Sequence, residues 1–155
     1  MTLETSRVGS FLVVGLEART TNVLEMSDEA VIPKLWGRLM GDTLLDLIPE
    51  RVDDRIVAVY YDYASDKDGA YSYLLGAKVS SAEEIPPGMV SHEVAKGDYA
   101  VFSGEGASPA ETVVRIWQEI WTLEAAGLPR AYITDFEVYQ PNADVEVRVG
   151  MLVGS

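Results

Sequence analysis

The sequence predicts an α+β fold: one domain over residues 1–155, built from two β-α-β-β repeats at about 8–80 and 89–153. Three observations predict it. Apolar and aromatic runs of strand length are interrupted twice by stretches of helical periodicity. These runs come in the order strand-helix-strand-strand, a linker strand, then strand-helix-strand-strand, which is an internal duplication and not a short-period array. A chain of 155 residues, 48% hydrophobic and 24% charged, also has the size and balance of one globular core.

The first strand is Ser10-Phe11-Leu12-Val13-Val14-Gly15-Leu16-Glu17-Ala18, nearly continuous in apolar residues. Ser27-Asp28-Glu29 offers a helix start, with Met26 and Val31 spaced as a hydrophobic staple, although Pro33 removes a backbone donor and sets the regular helix to begin there. Leu35, Trp36, Leu39 and Met40 then share one helical face, and the helix is expected to end before Pro49. Residues 55–63 are rich in β-branched and aromatic side chains, Ser65-Asp66-Lys67-Asp68-Gly69 is a turn, and 71–79 returns as a second strand. After the Pro86-Pro87-Gly88 loop, 89–95 and 99–103 read as a strand pair around Lys96-Gly97-Asp98. Ser108-Pro109-Ala110-Glu111 has an N-cap serine, proline at the first helical position and a capping-box glutamate. Val113, Ile116, Trp117, Ile120, Trp121 and Glu124 follow one face until Gly127 and Pro129 end the helix. Residues 132–139 and 144–153 close the second repeat around Pro141-Asn142-Ala143.

Composition narrows the function. Twenty-five acids against 12 bases give a net charge of −13, and no cluster of Lys and Arg offers itself to phosphates, so direct nucleic-acid binding is not expected. Without cysteine there is no disulfide, thiolate nucleophile or zinc–thiolate site. No apolar run reaches the 18 or so residues of a membrane span, and the N-terminus lacks a secretory signal, so a cytoplasmic protein is expected. His92 is the single histidine, too few for a metal or haem site. Asp66-Lys67-Asp68-Gly69 fails as a calcium loop, and Ser103-Gly104-Glu105-Gly106 lacks the lysine of a phosphate loop. No cofactor, metal or catalytic residue is assigned.

The strongest candidate for a small-molecule site lies near the C-terminus. Trp117 and Trp121, four residues apart, share a helical face. Strand alternation sets Asp135, Glu137 and Tyr139 on one face of the following strand and Thr134, Phe136 and Val138 on the other. Periodicity alone leaves a solvated acidic face open as the alternative. Tyr60, Tyr61, Tyr63, Tyr71 and Tyr73 crowd the other hairpin, and buried phenols need hydroxyl partners. Lining up the two hairpins puts Tyr61 on Glu137 and Gly76 on Gly150, so Tyr61 and Glu137 are expected as pseudo-symmetry mates.

Pro33-Lys34-Leu35-Trp36, Tyr99-Ala100-Val101-Phe102, Trp117-Gln118-Glu119-Ile120-Trp121 and Thr134-Asp135-Phe136-Glu137-Val138-Tyr139 resemble the GyrI-like effector-binding domains of AraC- and MerR-type regulators. The likeness is to the stand-alone integron-cassette subgroup, and it spans about Phe11 to Met151. It implies a curved antiparallel sheet of two repeats carrying two helices, with a pocket near the pseudo-twofold axis. There a glutamate, here Glu137, answers amphipathic, cationic aromatic ligands. Trp36, Trp117, Trp121, Tyr61 and Tyr73 are then the expected aromatic walls. No helix-turn-helix is expected before Phe11, so a ligand signal would pass to a protein partner or go nowhere. The resemblance leaves two other functions open: hydrolysis of strained electrophiles with Glu137 acting on water, and a protein-interaction module acting on a transcription or topoisomerase partner, for which the acidic charge suits a basic surface.

Overall fold

The computed structural model describes residues 4–66, 68–106, 108–142 and 144–152. Lys67 and Ala143, within two expected turns, and Val153, the expected end of the last strand, lie outside them. The elements are β1 (Glu4–Val8), β2 (Phe11–Thr20), the short α1 (Asn22–Glu25), α2 (Ile32–Gly41), a 3-10 turn (Leu44–Leu47), β3 (Ile56–Tyr61), β4 (Tyr71–Val79), β5 (Val90–Val94), β6 (Gly97–Gly104), α3 (Pro109–Ala125), β7 (Arg130–Tyr139) and β8 (Val145–Met151). All eight strands form one antiparallel sheet in the order β1-β6-β8-β7-β3-β4-β2-β5, confirming the α+β duplication.

The sheet must curl. β5 is last in the order and β6 second, six strand spacings or roughly 29 Å apart if the sheet were flat. Yet only Ala95 and Lys96 join them, and three peptide steps span at most about 11 Å. β1 and β2, joined by Gly9 and Ser10, meet the same constraint. The ladders explain how it is met. β1–β6 runs from Glu4↔Val101 to Val8↔Gly97, and β2–β5 continues in the same register from Phe11↔Val94 to Gly15↔Val90. Residues 4–15 and 90–101 are thus one long antiparallel ribbon, kinked where Gly9–Ser10 faces Ala95–Lys96. Each of its strands is interior in one half of the sheet and an edge in the other. The expected hairpin of 89–95 with 99–103 is therefore incorrect: the two segments are one bent strand, each part pairing with the N-terminal strand. β1 carries Glu4-Thr5-Ser6-Arg7, too polar for its strand to be foreseen; it exists because β6 supplies a partner.

Local signals fared unevenly. α3 starts as its capping sequence dictates, with Ser108 Oγ accepting from the Glu111 N–H at 3.3 Å, and ends before Gly127 at φ 113°. α2 does not use Ser27. Its first amides are capped from α1, where Glu25 accepts from the Val31 and Ile32 N–H groups at 3.1 and 3.0 Å. A carboxylate at a helix N-terminus meets both the orphan donors and the dipole. α2 also stops at Gly41, eight residues short of Pro49, and the 3-10 turn fills the gap.

Both faces of the sheet are buried. Val13, Val57, Val59, Leu74, Phe136 and Val138 pack inside the curl, where Phe11 and Tyr99 meet the Phe136 ring edge-on at 5.2 Å each. On the opposite face Leu35 and Leu39 of α2 cover Leu16, Ala58, Tyr73 and Leu75. Ile116 and Ile120 of α3 cover Val145, Val147 and Val149. β3 and β7, the strands between the two helix-covered patches, leave a gap there.

Candidate ligand-binding site

That gap is a cavity of about 760 Å³ between α2 and α3. Trp36 lines it from α2, Trp117 and Trp121 from α3, and Tyr60, Tyr73, Glu137 and Tyr139 from the sheet. Such a volume suits a drug-sized ligand.

Glu137 is 1% exposed and forms its floor. Its Oε2 accepts from Tyr60 Oη at 2.7 Å and Trp117 Nε1 at 2.6 Å, and its Oε1 from Tyr139 Oη at 2.6 Å. Among the described residues it has no cationic partner. Burial pushes its carboxyl above the ordinary range, while the Tyr139, Trp117 and Tyr60 donors pull the other way. Burial and then the Glu137 charge hold the Tyr60, Tyr73 and Tyr139 phenols well above theirs, so all three keep their protons and remain donors. A solvated acidic face, the alternative left open by alternation, is excluded: Asp135 and Glu137 are both buried.

The two halves dress this floor alike. Carrying the twofold of the ribbon through the β2–β4 and β6–β8 ladders, then the β3–β4 and β7–β8 ladders, relates Val57 to Phe136, Ala58 to Glu137 and Tyr60 to Tyr139. Ala58 and Glu137 are also directly paired across β3–β7, so the axis runs between them. Tyr60 and Tyr139 flank it, each donating to one carboxylate oxygen. Trp117 stands edge-on to Tyr60 at 5.3 Å and Trp36 edge-on to Tyr139 at 4.7 Å. Trp36 Nε1 donates to Tyr73 Oη at 3.0 Å.

Of the expected walls, Trp36, Trp117, Trp121 and Tyr73 line the cavity and Tyr61 does not. Tyr61 points into the other side of the sheet, stacked on His92 at 3.7 Å and 16°. The hairpin alignment caused the error. It was three residues out at β3, and an odd slip turns a strand residue to the opposite face. Ala58, not Tyr61, is the mate of Glu137, and Gly76 corresponds to Arg148 and not to Gly150. Tyr60, Tyr63, Tyr71, Glu25 and Arg130 also line it, beyond the walls that the sequence predicts. Alternation from the apolar Val57 and Val59 would have separated Tyr60 from Tyr61.

A second polar cluster forms one wall. β7 is irregular between Arg130 and Asp135, with Tyr132 at φ 53°, and the extra residues bring Arg130 back over Asp135. Arg130 Nη2 contacts Asp135 Oδ2 at 2.7 Å and Nη1 contacts Glu124 Oε1 at 3.2 Å. Asp135 also accepts from Tyr63 Oη and, at 2.9 Å, from the Gly150 N–H. The Arg130 guanidinium carbon lies 5.4 Å from the Trp117 ring centre and 4.2 Å from that of Tyr132. No group of three or more metal-ligating side chains occurs among the described residues, and no described helix is long and apolar enough to cross a membrane.

Residues 6–154 match the profile of a family described as integron-associated effector binding protein. The chain is similar to the putative transcriptional regulator protein YobU of Bacillus subtilis, 33% identical over 135 residues that cover 86% of this chain and 84% of that one. Among solved structures it is similar to the integron cassette protein VCH_CASS2 from the mobile metagenome of Vibrio cholerae, with 31% identity, a TM-score of 0.81 and coverage of 97% and 95% of the two chains. It also shares its fold with SAV2435, solved bound to tetraphenylphosphonium, at 18% identity and a TM-score of 0.76 over 99% and 95% of the chains.

Proposed function

The chain belongs to the integron-associated effector binding family, and from that premise we propose that it binds amphipathic aromatic cations between α2 and α3, with Glu137 as the counter-charge. One observation carries this: a carboxylate 1% exposed, held by three neutral donors and lacking a cationic partner among the described residues, on the floor of an aromatic cavity. A buried charge without a counter-charge is costly. A bound cation relieves that cost and gains roughly 0.5–2 kcal/mol over each well-placed indole or phenol face. The tetraphenylphosphonium bound by SAV2435 supports the ligand class, since it is bulky, aromatic and cationic.

The test is a titration with tetraphenylphosphonium followed by tryptophan fluorescence, since Trp117 and Trp36 both line the cavity. Quenching that saturates at micromolar concentration is expected, an affinity near −8 kcal/mol. Glu137→Gln keeps the side-chain size, and affinity for the cation should fall about tenfold or more while neutral aromatic ligands bind nearly unchanged. No quenching at high micromolar cation, or equal affinity in wild type and variant, overturns the reading.

A further inference from the structure

Arg130 is an unexpected wall for a cavity that takes cations. Its side chain is 3% exposed, and its two terminal nitrogens are engaged by Asp135, Glu124 and Tyr132. Its Nε is different: it is the one buried side-chain polar atom, among the described residues, that lacks a hydrogen-bond partner. A buried donor without an acceptor has lost its hydrogen bonds to water with no replacement, so such an orphan calls for a reason. The guanidinium carbon lies over the Trp117 indole, 5.4 Å from the ring centre, and the same indole donates its Nε1–H to Glu137. Arg130 and Glu137 therefore both meet Trp117 within one cavity.

We propose that Arg130 Nε is a subsite for a neutral oxygen acceptor, so that the preferred ligand is an aromatic cation also bearing an ester, amide or ether oxygen. This rests on the binding mode proposed above. Charge selects a neutral acceptor over an anion. One guanidinium already faces two carboxylates, Asp135 and Glu124, and a third negative group would be repelled. Nε is itself buried, so an oxygen reaches it only where the cavity wall beside Arg130 gives way.

Three xanthene dyes with the same cationic ring test the idea: tetramethylrosamine, tetramethylrhodamine methyl ester and tetramethylrhodamine with a free carboxylate. Wild-type protein should bind the ester about two- to tenfold more tightly than the rosamine, the worth of one hydrogen bond, and the carboxylate less tightly than the ester. In Arg130→Lys, which keeps the positive charge opposite Asp135 but has no Nε–H, the ester-to-rosamine ratio should fall to near one. Circular dichroism establishes that the variant is folded. If it is not, the wild-type comparison decides alone. Equal affinity for ester and rosamine in wild type overturns the subsite and leaves the cation site standing. An ester preference that survives in folded Arg130→Lys overturns the assignment to Nε, and tightest binding of the carboxylate overturns the neutral class. If wild type binds none of the dyes, the cation site itself falls, and this inference with it.

Discussion

The two halves of the molecule share a backbone plan but not a charge. Around the axis they are closely matched: Tyr60 with Trp117 on one side, Tyr139 with Trp36 on the other. On the axis they differ, because the position that is Ala58 in the first half is Glu137 in the second. Away from it they differ again. The ion pairs of the first half, Arg55–Asp53 and Arg19–Asp62, are partly or mostly exposed, while Arg130–Asp135 in the second is 3% and 0% exposed. A duplicated fold can therefore build a symmetric aromatic cage cheaply, since each repeat contributes the same wall. The charge cannot be duplicated at the axis, where two carboxylates would sit directly opposite each other on paired strands and repel.

The largest expected effect breaks the buried asymmetry. Arg130→Met strands Asp135 as a buried charge and should cost about 3–5 kcal/mol in chemical denaturation. Arg19→Met, at the exposed first-half pair, should cost less than about 1 kcal/mol. Similar losses at both sites would mean that the Arg130 pair is hydrated in solution.

The next test concerns the matched flanks. Tyr60→Phe and Tyr139→Phe each remove one donor from Glu137, and as symmetry mates they should weaken folding by similar amounts, about 1.5–3 kcal/mol each if the carboxylate is ionised. A large loss at one tyrosine with none at the other would break the symmetry argument.

The axis itself can be exchanged. Glu137→Ala should lower tetraphenylphosphonium affinity at least tenfold. Adding Ala58→Glu places a carboxylate at the mate position, within reach of the same two tyrosines, and should restore part of that affinity in fluorescence titration. No recovery in a folded double variant would show that the Glu137 environment is not transferable across the axis.

Acidity sharpens the same point. Because burial raises the Glu137 carboxyl above its ordinary 4.5, the folded protein holds that proton to higher pH than the unfolded chain does. Its contribution to stability is then full below pH 4.5 and declines as pH climbs through the raised value. Cation binding runs the other way: affinity rises over that window, by up to about tenfold per pH unit, and levels off above it. Glu137→Gln should flatten both slopes relative to wild type, with melting and titration across pH 4.5–8 as the measurements. The smallest expected effect is at Tyr61→Phe, on the far side of the sheet, where ligand affinity should stay within about twofold.

Much was legible in the residues themselves. Period-two alternation put Asp135, Glu137 and Tyr139 on one face, helical spacing joined Trp117 to Trp121, and the Ser108-Pro109-Ala110-Glu111 signal located α3, because each depends on neighbours a few residues apart. The duplication was legible as an order of elements. What only the tertiary structure decided depends on partners distant in sequence. The same Glu137 would be a surface acid if α3 did not lay Trp117 over it. The polar β1 is a strand because β6 pairs with it, and α2 is capped by Glu25 and not by the serine next door. Register between strands was beyond the sequence too: sliding one hairpin against another changes few local preferences, yet an odd step exchanges Tyr60 for Tyr61 at the ligand face. Local chemistry set which way each side chain could point, and long-range pairing chose which of them meet.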